Sequence, residues 1–283
     1  KQKANGGKLV VIDPRRTPTA RAADLHLANT PGSDLALANS LLHVAIEEKL
    51  IDTAVIQART TGFDAVRRAV LNYHPADTER ITGVPASLVR QTVQWLAAGP
   101  SMTLTGRGPE QQSKGVDTVL AFINLALALG LPGKVGSGYG CLTGQGNGQG
   151  GREHGQKADQ LPGGRDIENP EHRRFVADIW GVPEAELPHA GVDCYELLRK
   201  VETGEIKGLL SWSFNPAVSL PDSTFVKRML EKLEFFACAD FFLSETARFA
   251  DVVLPGSQHE EDEGTVCSTE GRVIKINQAV KPP

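Results

Sequence analysis

Residues 138–155 constrain this chain more than any other part of its sequence. They read GYGCLTGQGNGQGGREHG, so nearly half of them are glycine, and their apolar residues follow neither a helical nor a strand period. Glycine has no side chain to bury and loses more backbone freedom on folding than any other residue. We therefore expect this stretch to be held in place by groups outside it.

The same stretch carries groups that suit a large, polar, anionic ligand. Its glycines leave backbone N–H groups unobstructed, Gln145, Asn147 and Gln149 add carboxamides, and Arg152 adds a guanidinium. Such groups bind phosphate-bearing ligands at close backbone range. The alternative is a flexible linker, but linkers are usually rich in glycine and serine rather than in glycine, amides and arginine. The composition favours the ligand site.

The composition of the chain limits the class of protein. With 283 residues, 40% of them hydrophobic, and a net charge of −4, the chain is predicted to be globular, with one large or two ordinary domains. The negative charge gives no reason to expect binding to nucleic acid or to an anionic membrane. The longest apolar run lies within residues 119–131 and is too short to span a bilayer.

The cysteines and the ends of the chain carry further information. The four cysteines are far apart and form no CxxC pair, which argues against a zinc ribbon, an iron–sulfur cluster or a disulfide framework within the chain. They are Cys141, Cys194, Cys238 and Cys267. Because the chain starts at Lys1 rather than methionine and stops at two prolines, we expect it to be a segment of a larger polypeptide.

The first part of the chain has the pattern of an α/β sheet. Residues 8–13 (KLVVID) form a β-branched run that ends in Asp13, as in strands whose ends meet a nucleotide sugar, although an acid that caps a turn fits equally well. Ser33 is predicted to be the N-cap of a helix that follows, with Asp34 in its first turn. Asp34 either complements the helix dipole or accepts hydrogen bonds from the N1–H and amino group of a guanine, and both alternatives stay open.

A second strand, turn and helix follow further along. Residues 101–105 are predicted to form a strand, residues 106–108 a Gly-Arg-Gly turn, and residues 116–129 an almost wholly apolar helix that we expect to be buried. This order delivers a phosphate or a pterin to the ends of strands. Gln111 and Gln112 add hydrogen-bond donors close to the turn.

The second half alternates short strands and helices. Strands are predicted at residues 208–213, 235–239 and 251–254, and a hairpin at residues 265–276. The alternation favours parallel pairing, with a ligand at the carboxyl ends of the strands. An ordinary NAD-binding domain is not supported, because no GxGxxG with an acid about twenty residues further on follows the first strand.

Seven segments occur in an order that resembles a known family. They are VIDPRRTPTA, PGSDLAL, GRGPEQQSKGVDT, LTGQGNGQGGREHG, SFNPAVS, TARFADVVLPG and EGTVCSTEGRV. Together they resemble the molybdenum-bis(molybdopterin guanine dinucleotide) oxidoreductases, the family of formate dehydrogenases and prokaryotic nitrate reductases. The resemblance covers essentially the whole chain. Residues 143–163 resemble the assimilatory nitrate reductases more closely than the formate dehydrogenases.

The resemblance implies sites for two pterin guanine dinucleotides. The residues that match the first site, with its guanosine end and the loop facing its pterin and phosphates, are Asp13, Arg15, Ser33, Asp34, Gly106, Gly108 and Gln111. The residues that match the second site are Ser213, Asn215, Ser219 and Asp240. The residues expected beneath the cofactors, where the chain crosses between domains, are Thr143, Gln145 and Asn147.

The resemblance also implies the fold class: α/β, with two Rossmann-like parallel-sheet lobes, each partial in this chain. Residues 1–144 would form most of one cofactor domain and residues 145–283 the returning half of the other. The family's [4Fe–4S] segment and its molybdenum-ligating cysteine or selenocysteine would precede Lys1, and a barrel domain would follow Pro283. We therefore expect no catalytic residue, metal ligand or iron–sulfur ligand here, and no activity of the segment alone.

The implied reaction of the intact enzyme is the reduction of nitrate to nitrite by oxygen-atom transfer. Electrons would come from a donor protein or domain through the iron–sulfur cluster, and the cytoplasm is the expected compartment, with the periplasm left open. Arg152 and His154 are the candidates for the substrate approach, although either would also fit a cofactor phosphate. The alternatives are a formate dehydrogenase of the same family and a cofactor-free structural relative in a respiratory complex.

Overall fold

The protein folds into two compact units, residues Lys1–Gly144 and Gln145–Pro283. The structure, a computed structural model, describes residues 3–142, 144–268 and 270–282. Both units combine helices with parallel strands, which confirms the predicted α/β class. Within the described residues, the helices are too short or too polar to cross a membrane.

The first unit contains two pairs of parallel strands and a layer of helices. Its elements are β1 (Val10–Ile12), α1 (Pro18–Ala22), β2 (Leu25–Leu27), α2 (Asp34–Glu47), α3 (Thr53–Arg59), α4 (Phe63–Ala69), α5 (Pro75–Thr82), α6 (Ala86–Ala97), β3 (Met102–Thr105), α7 (Arg107–Glu110), α8 (Gly115–Ala128) and β4 (Gly138–Cys141). Strand β1 pairs with β2, and β3 pairs with β4. Helix α2 is central, since it packs against α5, α6 and α8.

The core of the first unit explains why α2 and α8 form where they do. In α2 the apolar residues recur at helical spacing, and Leu37, Leu41 and Val44 are almost fully buried. Helix α8 is apolar on every side, so the sequence predicts burial all round. That prediction is wrong for one face, because Val116 and Leu120 are 76% and 48% exposed.

The second unit is built on one parallel sheet. Its elements are α9 (Gly148–Glu153), β5 (Gln160–Leu161), β6 (Arg165–Asp166), α10 (Pro170–Trp180), α11 (Cys194–Thr203), β7 (Gly208–Trp212), α12 (Pro216–Ser219), α13 (Ser223–Lys232), β8 (Phe235–Asp240), β9 (Val252–Pro255), β10 (Gly264–Cys267) and β11 (Val273–Ile276). The parallel sheet has the order β7-β8-β9. Strands β5–β6 and β10–β11 pair antiparallel, and the second pair is the predicted hairpin.

The core of the second unit lies against the central strand of its sheet. Phe236 and Cys238 of β8 are almost fully buried and pack with Val226 and Leu230 of α13. Burial raises the pKa of the Cys238 thiol, and the nearby Asp240 carboxylate adds to the rise. The thiol is therefore held neutral in the core, where it behaves as a small apolar side chain.

Candidate cofactor site

The carboxyl ends of β1 and β2 lie at one edge because the two strands are parallel. Asp13 follows β1, and its Oδ1 accepts a hydrogen bond of 2.7 Å from the backbone N–H of Arg15, whose own side chain is exposed. Asn29 follows β2 and is 2% exposed. A carboxylate, a guanidinium and an amide therefore line the edge at which nucleotides bind in open α/β sheets.

Ser33 and Asp34 begin α2 at this edge. Ser33 occupies the predicted N-cap position, but its side chain does not cap the helix. Its Oγ instead donates a hydrogen bond of 2.6 Å to the carbonyl of Thr30, which fixes the turn before α2. Asp34 is the first residue of the helix, where a carboxylate is favoured by the helix dipole.

The Gly-x-Gly loop reaches Asp34 through a single side chain. Gln112 Nε2 donates to Asp34 Oδ2 at 3.0 Å and to the carbonyl of Gly108 at 2.9 Å. Gln111, the glutamine expected to face the ligand, is exposed at the end of α7. The link between the two predicted parts of the site therefore comes from Gln112. Its 78-residue separation from Asp34 along the chain hides this contact from sequence analysis.

Two observations test whether this edge fits a large anionic cofactor. A Cβ built on Gly106 or Gly108 would meet no other atom within 4 Å, and the extended backbone of Gly106 suits any residue. Among the residues that the structure describes, nothing therefore requires glycine there, whereas a ligand at backbone range would. Asn29 Oδ1 is buried without a hydrogen-bond partner among the described residues, so an acceptor is left for a ligand. The residues fit such a group.

A cluster of polar side chains lies at the carboxyl ends of β3 and β4, beside the Gly-x-Gly loop. Tyr139 and Thr105 share a hydrogen bond of 2.5 Å between their hydroxyls, and burial raises the pKa of Tyr139. Glu110 accepts from Cys141 Sγ at 2.7 Å and pairs with Arg107 Nη1 at 2.7 Å. Because Arg107 is paired with Glu110, its guanidinium stabilises the loop itself.

In the second unit, the carboxyl ends of β7 and β8 carry Ser213 and Asp240. Ser213 has φ of 49°, a left-handed conformation that is strained for a residue other than glycine, and its N–H donates to the carbonyl of Ala239 at 2.8 Å. Asp240 accepts from the N–H of Phe241 at 2.8 Å and from Ser244 Oγ at 2.9 Å. Strained backbone at a strand end is frequent in binding sites.

Asn215 lies beside them, but its amide is occupied by the protein. Its Oδ1 accepts from Thr246 Oγ1 at 2.7 Å and from the N–H of the same residue at 3.2 Å, and its Nδ2 donates to Glu245 at 2.9 Å. The bond from Asn215 holds the pKa of the Glu245 carboxyl below its usual range. Asn215 therefore positions this loop, while Ser219, at the end of α12, is exposed.

The glycine-rich stretch is partly helical, a feature that its sequence did not indicate. Asn147 precedes α9, and its Oδ1 accepts from the N–H of Cys267 in β10 at 2.9 Å. A Cβ on Gly150 would lie 2.2 Å from that same oxygen, so the glycine lets the contact form. Gln145 is exposed, and Thr143 lies outside the described residues. The stretch is thus held in part by a distant strand.

Arg152 and His154 lie on and just after α9, and both are exposed. His154 Nδ1 is 2.7 Å from the carbonyl of Gly150, so this nitrogen carries a proton and Nε2 is left as an acceptor or, in the charged ring, a donor. Within the described residues, no carboxylate pairs with the Arg152 guanidinium. The Arg152 guanidinium and the His154 imidazole are therefore both accessible at the carboxyl end of this short helix.

Comparison with known proteins agrees with this architecture. The fold is similar to that of acetylene hydratase from Pelobacter acetylenicus, with a TM-score of 0.76 and 22% identity over 99% of this chain and 41% of that one. The assimilatory nitrate reductase catalytic subunit of Bacillus subtilis is 48% identical over 100% of this chain, and formate dehydrogenase H of Escherichia coli is 37% identical over 99%. The chain spans about two fifths of the length of these relatives.

The fold therefore defines an α/β protein of the kind that binds large cofactors at the rims of parallel sheets. The pattern of the molybdopterin oxidoreductase family matches residues 1–283, and the chain belongs to that family. Membership implies a molybdenum–pterin cofactor. The strand ends and loops described above are this chain's candidates for holding it.

Proposed function

We propose that the protein to which this chain belongs reduces nitrate to nitrite. The observation that carries the proposal is the 48% identity with the Bacillus subtilis nitrate reductase subunit across the whole chain, against 37% with the formate dehydrogenase of Escherichia coli. The motif of residues 143–163 supports the same choice. Oxygen-atom transfer from nitrate with two electrons and two protons yields nitrite and water.

We propose that the cofactor is the bis(molybdopterin guanine dinucleotide) form, one dinucleotide for each unit. In the first unit Asp34 would accept hydrogen bonds from the guanine, and Asp13 from the ribose hydroxyls. In the second unit Ser213 and Asp240 would hold the other dinucleotide. A [4Fe–4S] cluster and a donor protein or domain would supply electrons from outside the residues of this chain.

The molybdenum–pterin group, when bound, supplies the two-electron chemistry. This chain's contribution is to bind, orient and provide charge. Arg152, which has no carboxylate partner among the described residues, would attract and orient the nitrate anion. His154 would donate a proton from Nε2, because its Nδ1 is already committed to the carbonyl of Gly150.

Substitution of Arg152 separates a substrate role from a cofactor role. We expect Arg152→Ala to raise KM for nitrate about tenfold or more, because a hydrogen bond to a charged group contributes about 1.5–3 kcal/mol. Molybdenum content should stay unchanged. Arg174→Ala, which removes an exposed arginine from α10, is the matched control and should leave KM as in the unaltered protein. Loss of molybdenum in Arg152→Ala would assign the residue to the cofactor instead.

A direct comparison of substrates tests the proposed reaction. The purified, full-length protein is assayed with nitrate and an artificial reductant, and in parallel with formate and an artificial oxidant. We expect nitrite to form and formate to be left unoxidised. Oxidation of formate without nitrite production would favour the formate dehydrogenase alternative, and a protein without bound molybdenum or guanine would favour the structural relative.

A further inference from the structure

A cluster of two histidines and one glutamate lies in the first unit, away from the strand ends. His43 and Glu47 are one helical turn apart on α2, and His74 immediately precedes α5. One potential ligand atom from each residue lies within 4.8 Å of the other two. His43 lies nine positions after Asp34 on α2, a rise of about 13.5 Å. The cluster is therefore distinct from the candidate cofactor site.

The two histidines are held in place by their surroundings. His43 Nδ1 lies 3.0 Å from the carbonyl of Val70, so it donates there and leaves Nε2 with a free lone pair. A metal-binding histidine usually makes this kind of bond with its other nitrogen. His74 is followed by Pro75, which restricts its backbone, and its ring meets that of His43 edge-on at 5.6 Å between centroids. Its Nδ1 accepts a long hydrogen bond of 3.4 Å from the N–H of Ala76, and an ion bound at that nitrogen would replace this bond.

Glu47 can serve the cluster without leaving Arg90 unpaired. Arg90 Nη1 lies 3.1 Å from Glu47 Oε2, but it is closer, at 2.7 Å, to Glu48 Oε1. Because a carboxylate has two oxygens, Glu47 can keep one on Arg90 and offer the other to an ion. If it turns fully to the ion, Glu48 retains the arginine.

We propose that His43, Glu47 and His74 bind a divalent transition-metal ion of the zinc type. Two imidazoles and a carboxylate form a ligand set that zinc favours, with water as the fourth ligand. A tetrahedral ion with bonds of about 2.0–2.1 Å places its ligand atoms about 3.4 Å from one another. The three ligand atoms now lie within 4.8 Å of one another, so side-chain rotations that shorten these separations by up to about 1.4 Å would close the cluster. The ion would clamp the second half of α2 to the segment before α5.

The test is zinc binding by the intact, untagged protein after treatment with a chelator. We expect the unaltered protein to bind one more Zn²⁺ than His43→Gln, His74→Gln or Glu47→Gln. In each variant the affinity for that ion should fall more than the roughly 10–100-fold caused by loss of an outer-shell partner. Binding of Co²⁺ should give the visible absorption of a tetrahedral site in the unaltered protein and in none of these three variants.

The matched control is His189→Gln. His189 forms an exposed pair with Glu168, at 3.0 Å, but belongs to no three-ligand cluster among the described residues. It should bind zinc as the unaltered protein does. Equal zinc binding by all the variants, or no zinc beyond that bound by His43→Gln, would overturn the proposal. Because Glu47 is exposed, Glu47→Gln should fold even if a histidine variant does not, and retained binding there would also contradict it.

Discussion

Gln112 is the residue that joins the two predicted halves of the first cofactor site. Its amide contacts both the Asp34 carboxylate and the Gly108 carbonyl, whereas the neighbouring Gln111 is exposed. The bond to a carboxylate contributes about 1.5–3 kcal/mol and the bond to a carbonyl about 1 kcal/mol. Gln112 thus sets where the loop lies relative to the start of α2.

We expect Gln112→Ala to loosen the loop and to lower the guanine content of the purified protein. The physical reason is the loss of both hydrogen bonds, which leaves Asp34 without its donor. Amide hydrogen exchange over residues 106–112 and quantitation of released guanine measure the two effects. Gln57→Ala, which removes an exposed glutamine from α3, is the matched control, and equal effects of the two substitutions would contradict the role given to Gln112.

Tyr139 provides a prediction about pH. Burial raises its pKa above the ordinary value of 10.0, so the folded protein holds the proton more tightly than the unfolded chain. The stability that this group contributes is therefore fully present below pH 10 and is lost as pH rises through the pKa of the folded state. We expect the unfolding free energy of the unaltered protein to fall more steeply above pH 10 than that of Tyr139→Phe. Parallel curves from denaturant unfolding would contradict this.

At the level of elements, α10 depends on the N-cap residue that precedes it. Asn169 Oδ1 accepts hydrogen bonds from the N–H groups of Glu171 and His172 at 2.9 and 3.3 Å, and Pro170 begins the helix. We expect Asn169→Ala to reduce the unfolding free energy by about 1 kcal/mol, because it removes this cap. Asn169→Ser keeps a capping oxygen and should cost only a small part of that, as denaturant unfolding would measure. Equal losses would show that the cap contributes little.

The sequence predicted most elements but few of the contacts between them. Local patterns were sufficient for the strands that end near Asp13, Ser213 and Asp240, because periodicity and turn residues are properties of short segments. The bond from Cys267 to Asn147 spans 120 residues, so no spacing rule reveals it. Ser33 was expected to cap α2 with its side chain, but its hydroxyl donates to the carbonyl of Thr30, three residues earlier in the chain.

The same limit applies to the residues that the sequence missed. His43 and Glu47 have the spacing of neighbours on a helix, which could have identified them as a pair. His74 was missed, because nothing in the sequence places the start of α5 against α2. Thr246 was also missed, since its contact with Asn215 depends on how two loops meet at the sheet rim.

At the level of the whole molecule, the two units share one feature of their sheets. Each of the two units has a parallel sheet whose carboxyl edge carries acidic or small polar residues, as large nucleotide ligands require. The first unit adds the open Gly106–Gly108 loop, and the second adds the strained Ser213. Two similar rims in one chain are the features from which we propose two dinucleotides rather than one.

The ratio of guanine nucleotide to molybdenum in the purified full-length protein tests this account most directly. Acid release and chromatography quantify the guanine, and elemental analysis quantifies the metal. We expect two guanine nucleotides for each molybdenum atom. A protein that contains neither molybdenum nor tungsten, and no guanine nucleotide, would contradict the central claim that these strand ends and loops bind two pterin dinucleotides.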